Sequence, residues 1–131
     1  MIISASDLVY IKESTLTEAG RGVFAKVDIK AGETVEVCPV IEMSEQDPSN
    51  PSEGILITYL YYFGKDKKKA LIALGFGSIY NHTRNPNAKY QIDESSQTIS
   101  FIATKDIKKD TEVTVNYNQT SPKDIQPLWF E

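Results

Sequence analysis

The chain has 131 residues, 40% of them hydrophobic and 24% charged, with a formal net charge of −4 and a pI near 5.0. That length fits one domain with a real core, and the acidic balance excludes a general binder of phosphate backbones while suiting basic partners such as lysine-rich protein segments. The single cysteine, Cys38, excludes an internal disulfide and a cysteine-rich zinc site, and the absence of a signal pattern or a bilayer-length apolar run points to a soluble intracellular protein without a membrane.

Leu8-Val9-Tyr10-Ile11 is a short run of β-branched and aromatic residues and reads as a first strand. Gly20-Arg21-Gly22 leads into a second strand at Val23-Phe24-Ala25, and Asp28 to Glu33 forms a tight turn with Gly32 where positive φ is tolerated. Thr34 to Ile41 alternates and then becomes apolar, as a strand entering a core does. Met43 to Gly54 reads as loop or one short helix. Ile55 to Phe63 is apolar and rich in tyrosine (Tyr59, Tyr61, Tyr62), and Lys65 to Lys69 reads as a solvated hairpin tip.

The stretch Ala73 to Asn87 starts apolar and glycine-rich and ends in polar residues that include His82, the only histidine. Phe76, Ile79 and Tyr80 anchor it while Asn81, Asn85 and Asn87 offer amide donors and acceptors. Such a segment is built to hold something polar in fixed geometry; a buried turn whose side chains satisfy nearby backbone is the simpler alternative. Beyond it, Lys89 to Asp93 and Thr98 to Ala103 alternate across a polar turn and read as a hairpin. Asp106 to Thr111 is another turn and Glu112 to Tyr117 another strand. No segment carries sustained helical periodicity, so the expected fold is a mostly-β single domain.

Three of these stretches, in order, resemble the motifs of the SET domain, the protein lysine methyltransferase family. Gly20-Arg21-Gly22-Val23-Phe24-Ala25 is similar to its first motif. Gly77 to Asn87 is similar to its Asn-His-Ser-x-x-Pro-Asn motif, with Thr83 in place of the serine, and Glu112-Val113-Thr114-Val115-Asn116-Tyr117 to its closing Glu-Leu-Thr-x-x-Tyr motif. The turn phrases Asp28 to Glu33 and Asp106 to Glu112 also match the family. The likeness runs from about Val9 to Tyr117 and is closest to the short stand-alone viral and prokaryotic SET proteins, some of which form homodimers.

The resemblance implies small sheets around a knot-like C-terminal crossing that brings Asn81-His82 beside Tyr117, with residues 1–120 as the SET domain and 121–131 as a short tail. It implies an S-adenosylmethionine-dependent protein-lysine N-methyltransferase. Tyr117 is then the first catalytic candidate and Tyr59 the second, lining the lysine channel, with Tyr61 and Tyr62 as alternatives for that place. Tyr90 and Val115 are channel candidates that affect room for added methyl groups. Gly20, Arg21, Gly22, Asn81, His82 and Tyr117 are the cofactor-binding candidates. Trp129 or Phe130 in the tail would close the adenine side. No metal is expected, because no Cys/His/Asp cluster accompanies His82.

The expected partner is a lysine-containing protein or histone-like peptide, with Glu42, Glu45, Asp47 and Glu53 flanking it, and no direct nucleic-acid contact. A second copy of the chain is a further expected partner. The compartment would be cytoplasmic in a bacterium and nuclear in a viral or eukaryotic setting. The competing expectation is a non-catalytic SET-like module, of the β-clip kind, that holds a peptide or ligand without turnover.

Overall fold

Runs of β-branched and aromatic residues interrupted by Gly, Asp, Asn or Pro pair as short strands rather than sustaining helices. The computed structural model describes residues 2–16, 20–47, 54–64 and 68–118. Trp129, Phe130, the proposed tail 121–131 and Glu53 lie outside the described residues. Within them the strands are β1 (Val9–Glu13), β2 (Arg21–Ala25), β3 (Thr34–Met43), β4 (Leu60–Phe63), β5 (Lys69–Ala73), β6 (Asn81–His82), β7 (Ala88–Asp93), β8 (Thr98–Ala103) and β9 (Glu112–Val115).

They form a four-stranded sheet in the order β1-β2-β9-β6 and a five-stranded sheet in the order β4-β5-β3-β8-β7. Every pairing is antiparallel except β6 with β9, where Asn81 lies opposite Thr114 and His82 opposite Val115. The last strand is thus inserted between the second and the sixth. That insertion makes neighbours of the mid-chain amide stretch and the end of the chain, as the resemblance implied.

The core lies between the sheets. Val23, Val113 and Val115 from one sheet and Leu71, Ile99 and Phe101 from the other are completely buried, and Tyr80 stacks on Phe101 at 4.0 Å between ring centroids. Burial of this kind supplies roughly 1.5–3 kcal/mol per large side chain.

Most expected elements are present, with shifted ends. The first strand runs to Glu13, and the third continues to Met43. Within the tyrosine-rich run Ile55 to Phe63, Ile55–Tyr59 is a 3₁₀ turn, entered through Gly54 at φ 94°, and Leu60–Phe63 is strand. The strand β5 had no counterpart in the sequence reading. Its apolar run was short, and pairing to both β3 and β4 decides its state.

The closing strand ends at Val115, two residues before the expected Tyr117. The Asn116 side chain accepts a hydrogen bond from the Asn118 N–H (2.8 Å), a local turn that competes with a ladder. The Tyr117 N–H is taken by His82 Nδ1 at 3.0 Å.

Candidate active site

The site is assembled by β6, β9 and the two residues beyond β9. Asn81 follows a 3₁₀ turn, Gly77–Ile79, which is held at Gly77 and at its flanking residues Phe76 and Tyr80. The buried Tyr61 hydroxyl donates to the Gly77 carbonyl at 2.8 Å. The Tyr80 hydroxyl and the Phe76 N–H both donate to the Glu36 carboxylate, at 2.8 and 3.1 Å. Glu36 is only 6% exposed, so these donors compensate a group that burial would otherwise destabilise.

Asn81 gives both protons of its amide to the protein, one to the Arg21 carbonyl at 2.9 Å and one to Glu112 Oε2 at 2.8 Å. Its Oδ1 therefore has no hydrogen-bond partner among the described residues. His82 Nδ1 accepts from the Tyr117 N–H, which places the ring proton of a neutral imidazole on Nε2. The His82 and Tyr117 rings lie 5.3 Å apart.

Tyr117 is held along its whole length. Its hydroxyl donates to the Tyr80 carbonyl in a short hydrogen bond. Its own carbonyl accepts from the Tyr90 hydroxyl at 2.9 Å. Its ring meets Tyr61 edge-on at 5.5 Å, and Tyr61 packs on Tyr90 at 4.9 Å. Burial first, and then the neighbouring Tyr90 and Tyr59 phenols, push the Tyr117 hydroxyl well above its ordinary pKa. Burial pushes Tyr90 up to about 12. Tyr117 is therefore a fixed, protonated phenol at neutral pH and not a base.

Tyr59 closes the 3₁₀ turn, is half-buried, and makes no hydrogen bond among the described residues. Of its two alternatives, Tyr61 is spent inside the core, and Tyr62 is 38% exposed beside its inward-facing neighbours Tyr61 and Phe63. Tyr90 is committed to the Tyr117 backbone. Val115 is fully buried in the main core.

Gly20 has φ +71° with open space around it, whereas Gly22 is needed for a different reason. A Cβ there would stand 2.3 Å from Glu112 Oε2 and 2.9 Å from Asn81 Nδ2. The amide–carboxylate pair occupies the place of a side chain. Glu36 and Glu112 were both missed as site-building residues. The signal for Glu36 was a carboxylate flanked by the apolar Val35, Val37 and Cys38.

Among the described residues no group of three or more His, Cys, Asp or Glu could hold a metal ion, and no helix is long and apolar enough to cross a membrane. A groove of about 540 Å³ lies away from the tyrosines, between the segment around Ile2 and Ser6 and the strand residues Val37, Gln91 and Ser100.

The sequence pattern of the SET domain matches residues 20–118. A histone-lysine N-methyltransferase of Schizosaccharomyces pombe, specific for H3 lysine-37, is 32% identical over 112 residues, covering 86% of this chain and 71% of that protein. A crystal structure from Plasmodium falciparum, of a protein proposed to be a histone methyltransferase, superposes with a TM-score of 0.68 at 33% identity over 90% of this chain and 97% of that one. A chain of the polycomb repressive complex 2 of Chaetomium thermophilum, bound to S-adenosylmethionine, has the same fold with a TM-score of 0.65 at 24% identity. The match covers 92% of this chain and 16% of that one.

Proposed function

The chain belongs to the SET-domain family of S-adenosylmethionine-dependent protein-lysine methyltransferases, and on that premise we propose how its residues divide the work. Asn81, His82 and the Gly20-Arg21-Gly22 turn hold the cofactor, Tyr117 stands at the point of transfer, and Tyr59 lines the approach of the lysine. The observation that carries this is the fixation of Tyr117 by Tyr80, His82 and Tyr90 at its hydroxyl, amide and carbonyl.

The donor set suits the cofactor. Asn81 Oδ1 accepts no hydrogen bond among the described residues, as an acceptor for an ammonium group requires, and Gly20 is open to a ligand. When bound, S-adenosylmethionine supplies an electrophilic methyl group on a positively charged sulfur. The protein supplies orientation and dryness. The proton of the Tyr117 hydroxyl is already committed to the Tyr80 carbonyl, so the phenol meets an incoming amine as a hydrogen-bond acceptor and not as a donor. The Tyr59 phenol makes no hydrogen bond among the described residues and can steer the same group. A free lysine has a pKa near 10.4, so at neutral pH well under one in a hundred is neutral. Tyr61 and Tyr90, packed behind Tyr117, keep water from that side of its ring, which favours the neutral amine, and alignment contributes several kcal/mol more.

Replacing Tyr117 by Phe tests the assignment. Calorimetry should give an unchanged Kd for S-adenosylmethionine, while methyl transfer to a lysine peptide falls about a hundredfold or more. Unchanged turnover would remove Tyr117 from the site. Tyr90 and Val115 as limits on the number of methyl groups extend the same reading, and product mass spectra of Tyr90→Phe test it.

A basic, histone-like segment is the proposed substrate. Glu42 supports this: it shares a cross-strand row with Leu71 and Tyr61, and its Oε1 is buried without a hydrogen-bond partner among the described residues. Glu45 and Asp47 follow in the next turn. A peptide array with labelled cofactor should favour sites flanked by Arg or Lys, and a preference for acidic flanks would overturn it. Trp129 as an adenine-side contact remains part of the proposal; Trp129→Ala should then weaken cofactor binding in calorimetry.

Homodimerisation is proposed on the outer face of β3, β4 and β5. There Ile41 is 54% and Tyr62 38% exposed, at the border of a small buried cluster of Met43, Leu60 and Ala70 with Ile72 packed on it. Sedimentation equilibrium should give twice the chain mass, reduced to one by Ile41→Lys.

A further inference from the structure

Glu112 stands where the four-stranded sheet meets the cofactor end of the site. We propose that it is a positioning residue that sets the Asn81 amide so that Oδ1 faces the ammonium group of the cofactor's amino-acid portion. The inference rests on the placement of Asn81 at the cofactor end, and it assigns the orientation of that side chain to a residue the reading above does not use.

The geometry is specific. Glu112 Oε2 accepts from Asn81 Nδ2 at 2.8 Å, and Oε1 accepts from the Ser14 hydroxyl at 2.7 Å. The Glu112 carbonyl is held in turn by Asn87 Nδ2 at 2.9 Å. Gly22 supplies the space, since any side chain there would collide with the carboxylate. An asparagine amide can turn over, exchanging oxygen for nitrogen at little intrinsic cost. Two acceptors on one side, the Arg21 carbonyl and Glu112 Oε2, forbid the exchanged orientation because oxygen would face oxygen. The acceptor Oδ1 is thereby directed outward. With Glu112 removed, only the Arg21 carbonyl opposes the exchange, and an outward NH₂ would repel an ammonium group. No Lys or Arg among the described residues is ion-paired to Glu112, so its role is to receive the amide.

The test compares ligands that have or lack the amino-acid portion, by calorimetry on the full chain. In Glu112→Ala, Kd for S-adenosylmethionine and S-adenosylhomocysteine should rise about tenfold, while Kd for 5′-methylthioadenosine stays within twofold. Glu112→Gln keeps an oxygen for the amide and a nitrogen for Ser14, and should restore binding to within about threefold of the parent. Equal weakening of all three ligands would mark Glu112 as merely structural and overturn the proposal. So would a Gln variant as weak as Ala. If Glu112→Ala fails to fold, Glu112→Asp, which withdraws the carboxylate by one methylene, should show the same selective loss. Asn81→Ala separates the two readings. If it leaves binding intact, Asn81 is not at the cofactor end; if it weakens binding while the Glu112 variants do not, only the positioning role fails.

Discussion

Glu36 and Gly77 illustrate how single residues build the platform on which the site rests. Plain alternation along Thr34–Met43 would put Glu36 on the opposite side from Val35. An irregularity in the β3–β8 register between Thr34 and Glu36 leaves both buried, at 1% and 6% exposure. The carboxylate thereby reaches Tyr80 and Phe76, and it also presses on the thiol of Cys38. Burial first, and then Glu36, hold that thiol far above its ordinary pKa, so it behaves as an inert packing group. Gly77 sits between these side chains. A Cβ there would approach the Ala73 Cβ to 2.5 Å and Cys38 Sγ to 3.0 Å. Gly77→Ala should therefore cost about 1–3 kcal/mol in urea unfolding. It should also weaken methyl transfer, because the same shift disturbs the Tyr61 hydrogen bond to the Gly77 carbonyl. An unchanged unfolding midpoint would show that the turn can give way.

At the level of elements, the two similar turn phrases turn out to be partners. Ile29 and Ile107 exchange backbone hydrogen bonds at 2.8 and 2.7 Å. Asp106 accepts from the Ala31 N–H at 2.9 Å, and Asp28 accepts from the Lys109 N–H at 2.8 Å. Positive φ falls at Gly32 in one and at Asp110 in the other, 90° and 68°. Each turn thus braces the other, and the second delivers the chain into β9. Asn87 then fixes that strand from the side, donating to the Glu112 carbonyl and accepting from the Thr114 N–H, both at 2.9 Å. An amide provides donor and acceptor together, as a strand edge does. Asn87→Ala should leave both backbone groups unsatisfied and cost about 2 kcal/mol of stability. Because β9 carries Glu112 and leads to Tyr117, the same variant should bind S-adenosylmethionine more weakly; intact binding with lowered stability would uncouple strand from site.

The whole molecule surrounds its site with phenols it does not let ionise. Burial raises Tyr61, Tyr80, Tyr90 and Tyr117 above the ordinary tyrosine value of 10.0. For an acid held protonated by the fold, the unfolded chain loses its proton first as pH rises. Stability from these groups is thus fully present below pH 10 and is lost from pH 10 upward, toward about 12 in the case of Tyr90. Each such group withdraws about 1.4 kcal/mol per pH unit in that window. Alkaline titration followed by tyrosinate absorbance should show these phenols ionising together with unfolding, as one cooperative step. Gradual ionisation with the fold intact would mean that the cluster is wet.

Much of this was legible along the chain. Alternating apolar residues and Gly- or Asp-bearing turns gave the strands, because a strand's period and a turn's conformational demands are local properties. Asn81, His82 and Tyr117 stood out by type and by their likeness to known motifs. What the sequence did not contain was the set of partners. Glu36 meeting Tyr80, Glu112 meeting Asn81 across Gly22, and Tyr90 meeting the Tyr117 carbonyl all join strands far apart in the chain. Those meetings follow from one topological event, the insertion of β9 between β2 and β6. Pairing between distant strands depends on how whole sheets bury their faces, and only the folded chain decides it.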